Sequence, residues 1–293
     1  MKIEKIIAVY FSPCGNVKKM TRYIANTLAY KLNLPITYDD FTLPANRINM
    51  RSYTEQDLVV FGVPIYAGRI PNKILNSVQT LFVGKRTFAI PVVSFGNRSF
   101  DHGLKELAME LDKNGFLAIG AAALVSEHAF SSKLATNRPS ARDFDQLDVF
   151  LGKLISKVSL YHDMQSNHSM FADLCPLDRN GMFIDIDDVP GDWPLNGYYT
   201  PLGEDGNPAV FLKAKPQTDK VSCDMCGACA KVCPMGSIHP NECDLVEGVC
   251  IKCQACVNIC ANHAKYFDDA AFCSHVRMLE HTYQRPANNL FVI

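Results

Sequence analysis

The chain has 293 residues, 48% hydrophobic and 20% charged, with a net charge of −1. So much apolar residue excludes general disorder, and the length suggests two domains rather than one. No part is basic enough for nucleic-acid binding as the main task, and the longest smooth apolar run, Gly115 to Val125, is too short to span a bilayer.

The first residues, Met1-Lys2-Ile3-Glu4-Lys5, run straight into an apolar stretch and do not read as a signal peptide, so a cytoplasmic protein is expected. Ile6-Ile7-Ala8-Val9-Tyr10-Phe11 predicts a strand covered on both faces. Ser12 to Asn16 reads as a loop, followed by a helix to about Lys31. Further strands are predicted at Ile36–Tyr38, Leu58–Val63, Thr87–Ser94 and Phe116–Val125, with Pro91 read as a bulge. Helical apolar stripes fall at Ile70, Ile74, Leu75, Val78 and Leu81, then at Leu104, Leu107, Ala108 and Leu111, and from Arg142 to about Tyr161. Five strands alternating with helices predict an α/β, doubly wound, parallel five-stranded sheet over 1–161, with ligands at the carboxyl ends of its strands.

Residues 162–215 lose this rhythm and are rich in Pro, Gly and Asp. They also hold Trp193, Tyr198, Tyr199 and Phe211, so a structured connector is expected rather than a flexible linker. A cysteine-rich module follows over 216–272, and 273–293 reads as a short helical tail. Residues 1–165 hold 20 Lys and Arg against 14 Asp and Glu, whereas 166–293 hold 9 against 16, so the two halves have opposite charge.

Eleven of the twelve cysteines lie from Cys175 onward, and in a cytoplasmic chain such clustering points to metal. Cys223-x2-Cys226-x2-Cys229-x3-Cys233-Pro234 is repeated as Cys250-x2-Cys253-x2-Cys256-x3-Cys260. Structural zinc prefers two separated C-x2-C pairs, whereas three close thiolates and a fourth aimed elsewhere suit [4Fe–4S] cubanes. The pattern resembles the bacterial two-cluster ferredoxins. That resemblance implies one cluster on Cys223, Cys226, Cys229 and Cys260, and a second on Cys250, Cys253, Cys256 and Cys233. The module is then a small α+β domain. Ala261 stands where the ferredoxin pattern has proline, which alters a turn rather than a ligand. Cys175, Cys243 and Cys273 lack ligand spacing and read as small semi-buried residues.

The loop Ser12-Pro13-Cys14-Gly15-Asn16-Val17 precedes a helix, whose first N–H groups suit a phosphate. It resembles the flavodoxin phosphate loop, Ser/Thr-x-Thr-Gly-Asn-Thr, through Ser12, Gly15 and Asn16, with Cys14 and Val17 in place of two threonines. A thiol at this position is expected to be thiolate-prone. Two more loops fall where flavodoxins hold the isoalloxazine: Pro64-Ile65-Tyr66-Ala67-Gly68-Arg69 and Ser94-Phe95-Gly96-Asn97-Arg98. Tyr66 and Phe95 offer aromatic faces, Gly68 and Gly96 close approach, and Arg69 and Arg98 positive charge. FMN is the expected cofactor of this half. His128, after the fifth strand, is a weak catalytic candidate, since such a His more often fills a loop.

With both halves together the chain resembles the flavodoxin–ferredoxin fusion proteins called the EFR1 family. The resemblance implies an electron-transfer protein joining two [4Fe–4S] clusters to FMN, working with a redox protein or a small-molecule acceptor. Two alternatives stand beside it: an FMN-dependent reductase fed by the clusters, and a cluster-only carrier with a degenerate flavodoxin half.

Overall fold

A computed structural model describes residues 2–166, 182–192 and 195–293. Cys175, Trp193 and Pro194 lie outside the described residues. The sheet is built from β1 (Lys5–Tyr10), β2 (Ile36–Asp40), β4 (Asp57–Pro64), β6 (Thr87–Phe95) and β8 (Ala121–Val125), which pair in parallel in the spatial order β2-β1-β4-β6-β8, while β3 (Arg51–Tyr53) and β5 (Phe82–Gly84) form a separate parallel pair. This is the 2-1-3-4-5 order of the flavodoxin-like doubly wound sheet, with its switch point between β1 and β4. β4 and β6 are buried almost throughout because helices cover both faces. α1 (Asn16–Leu32) buries Val17, Met20, Thr21, Ile24, Ala25, Leu28 and Ala29, a stripe at helical spacing. With α4 (Ala141–Ser166) it closes one core, while α2 (Asn72–Leu81) and α3 (Gly103–Lys113) close the other.

The strand expected over Phe116–Val125 is two pieces, β7 (Phe116–Ala118) and β8. β7 pairs with Thr87–Ala89 of β6, and β8 pairs with Val92–Phe95. Pro91 therefore sits opposite the break between them, on a strand that is otherwise interior. A residue lacking an N–H fits there without a bulge.

Gly62, in β4, lies directly over α1: a Cβ there would stand 2.0 Å from Thr21 Oγ1 and 2.9 Å from Val17 Cγ1. Both atoms belong to a packed helix, so Gly62→Ala is expected to destabilise the sheet domain by about 1–3 kcal/mol, read from urea denaturation.

The chain's end is the main departure from the expected outline. α7 (Ala270–Thr282) is helical, but the chain then returns to the first domain, and β11 (Leu290–Val292) pairs antiparallel with Ala121–Ala123 of β8. The sheet thus gains an antiparallel edge strand from the far end of the sequence. Asn289 fixes the junction: its Oδ1 accepts from Val125 N at 2.8 Å, and its Nδ2 donates to Asp143 at 2.8 Å and Gln146 at 2.7 Å. Asp143 also takes Arg138 and the Ser140 N–H and hydroxyl, while Arg138 donates to Ala287 O at 2.7 Å.

Burial alone would raise the Asp143 carboxyl, but the bonds from Arg138, Ser140 and Asn289 outweigh it and hold the pKa at about 2. A lowered folded pKa gives stability present above the ordinary value of 3.8 and lost as pH falls through about 2. Asp143→Ala is expected to cost about 2–4 kcal/mol by leaving the part-buried Arg138 guanidinium without its counter-ion. Thermal melts at neutral pH measure that loss, and the difference from wild type should shrink in acid.

Candidate functional site: a strand-end cavity against the cysteine module

The cysteine repeat is also a backbone repeat, offset by 27 residues. Short helices α5 (Ala228–Lys231) and α6 (Ala255–Asn258) follow left-handed residues Gly227 (φ 73°) and Gln254 (φ 65°). Met225 and Lys252, both left-handed, precede them by two. The fourth cysteine of each run accepts an N–H from the residue four later: Ser237 N to Cys233 Sγ at 3.3 Å, and Ala264 N to Cys260 Sγ at 3.2 Å. Gln254 holds a conformation that favours glycine, and no glycine marks it in the second run.

Cys233 lies among the second set: it lines one small apolar cavity together with Cys250, Cys253 and Cys256. Burial, then neighbouring thiols, pushes Cys256 up to about 12. Cys229 is pushed up to about 11 by burial and by Cys243, which is buried beside it. Among the described residues no three His, Cys, Asp or Glu side chains gather tightly enough for a single metal ion. Four sulfurs around a cubane stand wider apart than that. Backbone N–H groups turned to Cys233, Cys250 and Cys260 supply the donors that cluster thiolates take. The donor set fits a cluster.

A cavity of about 230 Å³ opens at the carboxyl ends of the strands. From the three expected loops it is lined by Ser12, Pro13, Cys14, Asn16 and Val17, by Pro64, Ile65, Tyr66 and Ala67, and by Ser94, Phe95, Gly96 and Arg98. Gly15 caps α1 in the left-handed region (φ 88°) and lets the loop turn into the helix. Ser12 is tied into the loop, its N–H donating to Thr42 Oγ1 at 2.8 Å and its Oγ accepting from Lys18 N at 2.9 Å. The N–H groups of the first helical turn, Asn16 and Val17, have no acceptor within the helix. They lie on the cavity wall, where a phosphate fits.

Gly68, Arg69 and Asn97 do not line the cavity. Arg69 is drawn into an ion pair with buried Glu106, whose other oxygen accepts from Ile70 N, and it lies over the Tyr198 ring. Asn97 grips the returning chain, donating to Tyr283 O and Arg285 O and accepting from Ala287 N. Gly68 is pressed against Asp101. Arg98 stays at the cavity, paired with Asp101 and 4.0 Å over the Tyr199 ring.

Cys14 departs from its expected chemistry. Its thiol, half-buried, donates to Cys253 O at 2.7 Å, and desolvation pushes its pKa up to about 11, so it is a hydrogen-bonded thiol rather than a thiolate. The same contact brings the phosphate-type loop against the second cysteine run. Tyr66 lines the cavity beside Cys14, and Ile251 and Lys252 of the second run form part of the same wall.

The connector and α7 complete the enclosure. Tyr199, Pro201, Phe211, His275 and Leu279 line it opposite the strand ends, and Ser126 to Phe130, which follow β8, line it at them. Tyr199 N bonds Ala67 O at 2.9 Å, and Tyr198 OH donates to Ile70 O at 2.8 Å. The walls from the connector and α7 lie far along the sequence from the strand-end loops, and no local motif announces them.

A family model for a 4Fe-4S binding domain matches residues 216–239. No curated protein matches the chain. Among solved structures, a flavodoxin from the domain Archaea is 14% identical, with 53% of this chain and 99% of that one covered and a TM-score of 0.35. A short-chain flavodoxin associated with a non-canonical PDU bacterial microcompartment is also 14% identical, covering 54% and 99%, at 0.36. Rubredoxin oxygen:oxidoreductase from Desulfovibrio gigas is 18% identical, covering 54% of this chain and 37% of that one, at 0.37. At such scores the fold rests on the strand order and not on these likenesses. Residues 216–239 match a 4Fe–4S binding domain and are joined to a parallel α/β sheet of flavodoxin-like order. Those are the parts of an electron-transfer protein. No helix among the described residues is long and apolar enough to cross a membrane.

Proposed function

We propose that the chain is an electron relay between two [4Fe–4S] clusters and one FMN, as in the flavodoxin–ferredoxin fusions it resembles. The observation that supports this best is the shared wall. Ile251 and Lys252, between cluster-type cysteines Cys250 and Cys253, line the cavity that three strand-end loops form, and Cys14 of the first loop bonds Cys253 O.

In this reading Cys250, Cys253, Cys256 and Cys233 hold the inner cluster, and Cys223, Cys226, Cys229 and Cys260 the outer one. The first turn of α1 takes the FMN phosphate, and Tyr66, Phe95 and Gly96 take the ring. FMN, when bound, exchanges one or two electrons, while each cluster passes one. The chain's part is placement. The Cys14 bond, the Arg47 bonds to Phe41, Thr42 and Pro234 carbonyls, and the β11 pairing hold the module on the sheet domain. The roof of Tyr199, Pro201, Phe211 and Leu279 keeps the ring from open solvent. A redox protein or small-molecule acceptor exchanges electrons with this unit in the cytoplasm.

Anaerobic purification with iron, sulfide and flavin measured on one sample tests the reading. The expected content is about eight irons and eight sulfides per chain, with one FMN bound on addition. About four irons would reduce the module to one cluster. Failure to take up FMN would leave a cluster-only carrier.

A further inference from the structure

The wall of the cavity contains two histidines whose tautomers are fixed in opposite senses. The N–H of Phe130 donates to His128 Nδ1 at 3.1 Å, so that nitrogen is the bare one and the ring proton sits on Nε2. His275 is the reverse: Nδ1 lies 2.8 Å from Leu202 O, and a carbonyl only accepts, so Nδ1 has the proton and Nε2 the lone pair. Neither Nε2 has a hydrogen-bond partner among the described residues, and neither is a sealed, orphaned atom. Both residues line the cavity. Burial lowers the pKa of both, that of His128 to about 4, so both rings are neutral near pH 7 and the tautomers hold.

One aromatic cluster fixes the two rings. His128 meets Phe130 at 5.0 Å, Phe130 meets Phe272 at 4.8 Å, Phe272 meets Phe211 at 5.5 Å, and Phe211 stacks on His275 at 5.4 Å between centroids. Gly96 sets the approach from the other side: a Cβ there would fall 2.4 Å from His128 Cδ2, so only glycine lets this ring lie against the loop after β6. The cavity thus offers one N–H donor and one nitrogen acceptor, both held by the same cluster of aromatic rings.

A flat, uncharged ring with a carbonyl beside an N–H is the complement of that pair. The pyrimidine edge of an isoalloxazine has this pattern, C2=O, N3–H and C4=O. We infer that His128 and His275 together recognise this edge, His128 Nε2–H donating to a ring carbonyl and His275 Nε2 accepting from N3–H. The inference rests on the flavin reading above and assigns the two residues a binding and orienting role. It explains why α7, an element of the cysteine module's end of the chain, closes over a sheet-domain cavity. A donor at a ring carbonyl also favours the electron-rich reduced ring, so the flavin potential depends on His128.

The test compares FMN with N3-methyl-FMN on the full, cluster-loaded chain by fluorescence quenching. Wild type is expected to bind FMN about tenfold more tightly than the methylated analogue. His275→Phe should bind both alike, at about the level of the analogue on wild type, and His275→Gln, which retains an acceptor, should recover part of the preference. His128→Phe should weaken both flavins by a similar factor and lower the potential of bound FMN in a spectroelectrochemical titration. Two results overturn the assignment while leaving flavin binding intact: equal affinity of wild type for both flavins, or a methyl penalty unchanged by His275→Phe. Uracil has the same edge, and uracil binding beside bound FMN would place that edge on a second ligand and likewise overturn it. No binding of FMN by any form overturns the flavin reading itself.

Discussion

On the proposed assignment of the two clusters, Cys233→Ala is expected to damage the one on Cys250, Cys253 and Cys256 and to leave the one on Cys223, Cys226 and Cys229 largely intact, although Cys233 follows the latter in sequence. The geometry gives the reason. Cys233 shares a small cavity with Cys250, Cys253 and Cys256, while its own backbone turns away through Pro234 and Gly236 (φ 62°). Cys260 occupies the matching turn of the second run, with His263 at φ 52° where the first run has glycine. Loss of one whole cluster, about four irons, should follow. Electron paramagnetic resonance of the reduced protein checks it, by losing one of two interacting signals. Selective loss of the Cys223–Cys229 centre would refute the cross-ligation.

Removing the clusters by chelation and oxidation is expected to unfold the module and spare the sheet domain. The module's buried cluster is only Cys229, Ile238, Cys243 and Cys256, and its sheet is the two-residue pair β9 (Gln217–Thr218) and β10 (Lys265–Tyr266). Such a core falls well short of the ordering entropy of some fifty residues at about 1–2 kcal/mol each. The sheet domain has two large cores of its own. Limited proteolysis of the apo-protein should cut within 216–268 and leave a resistant fragment from the first half. A protease-resistant apo-module would mean that packing alone holds it.

Much of this architecture is legible in the sequence because its signals are local. Continuous apolar runs mark parallel strands that have both faces covered, and the x2-x2-x3 cysteine spacing sets which thiolates share a side. What escapes is long-range. Leu290-Phe291-Val292 is too short to show any period, so its return to the sheet is invisible beforehand. Arg69 and Asn97 stand in the right loops, but their partners, Glu106 and Ala287, lie 37 and 190 residues away. A helix N-terminus lowers a thiol's pKa only where solvent or a charge accompanies it. Cys14 lies instead under Cys253, a neighbour 239 residues distant, and burial wins. His128 reads as loop filling until His275 appears opposite it on a helix from the other end of the chain.

The opposite charges of the two halves favour docking, yet exposed ion pairs contribute only about 0–1 kcal/mol each. The fixed pose is therefore assigned to packing, to the Cys14–Cys253 contact and to β11. Its consequence is kinetic. In FMN-loaded, anaerobic protein reduced rapidly at the clusters, flavin and cluster absorbance followed separately should show electrons crossing within one molecule. The relay predicts a flavin reduction rate that does not change with protein concentration. A rate proportional to concentration, or reduced clusters beside a flavin that stays oxidised, would contradict it.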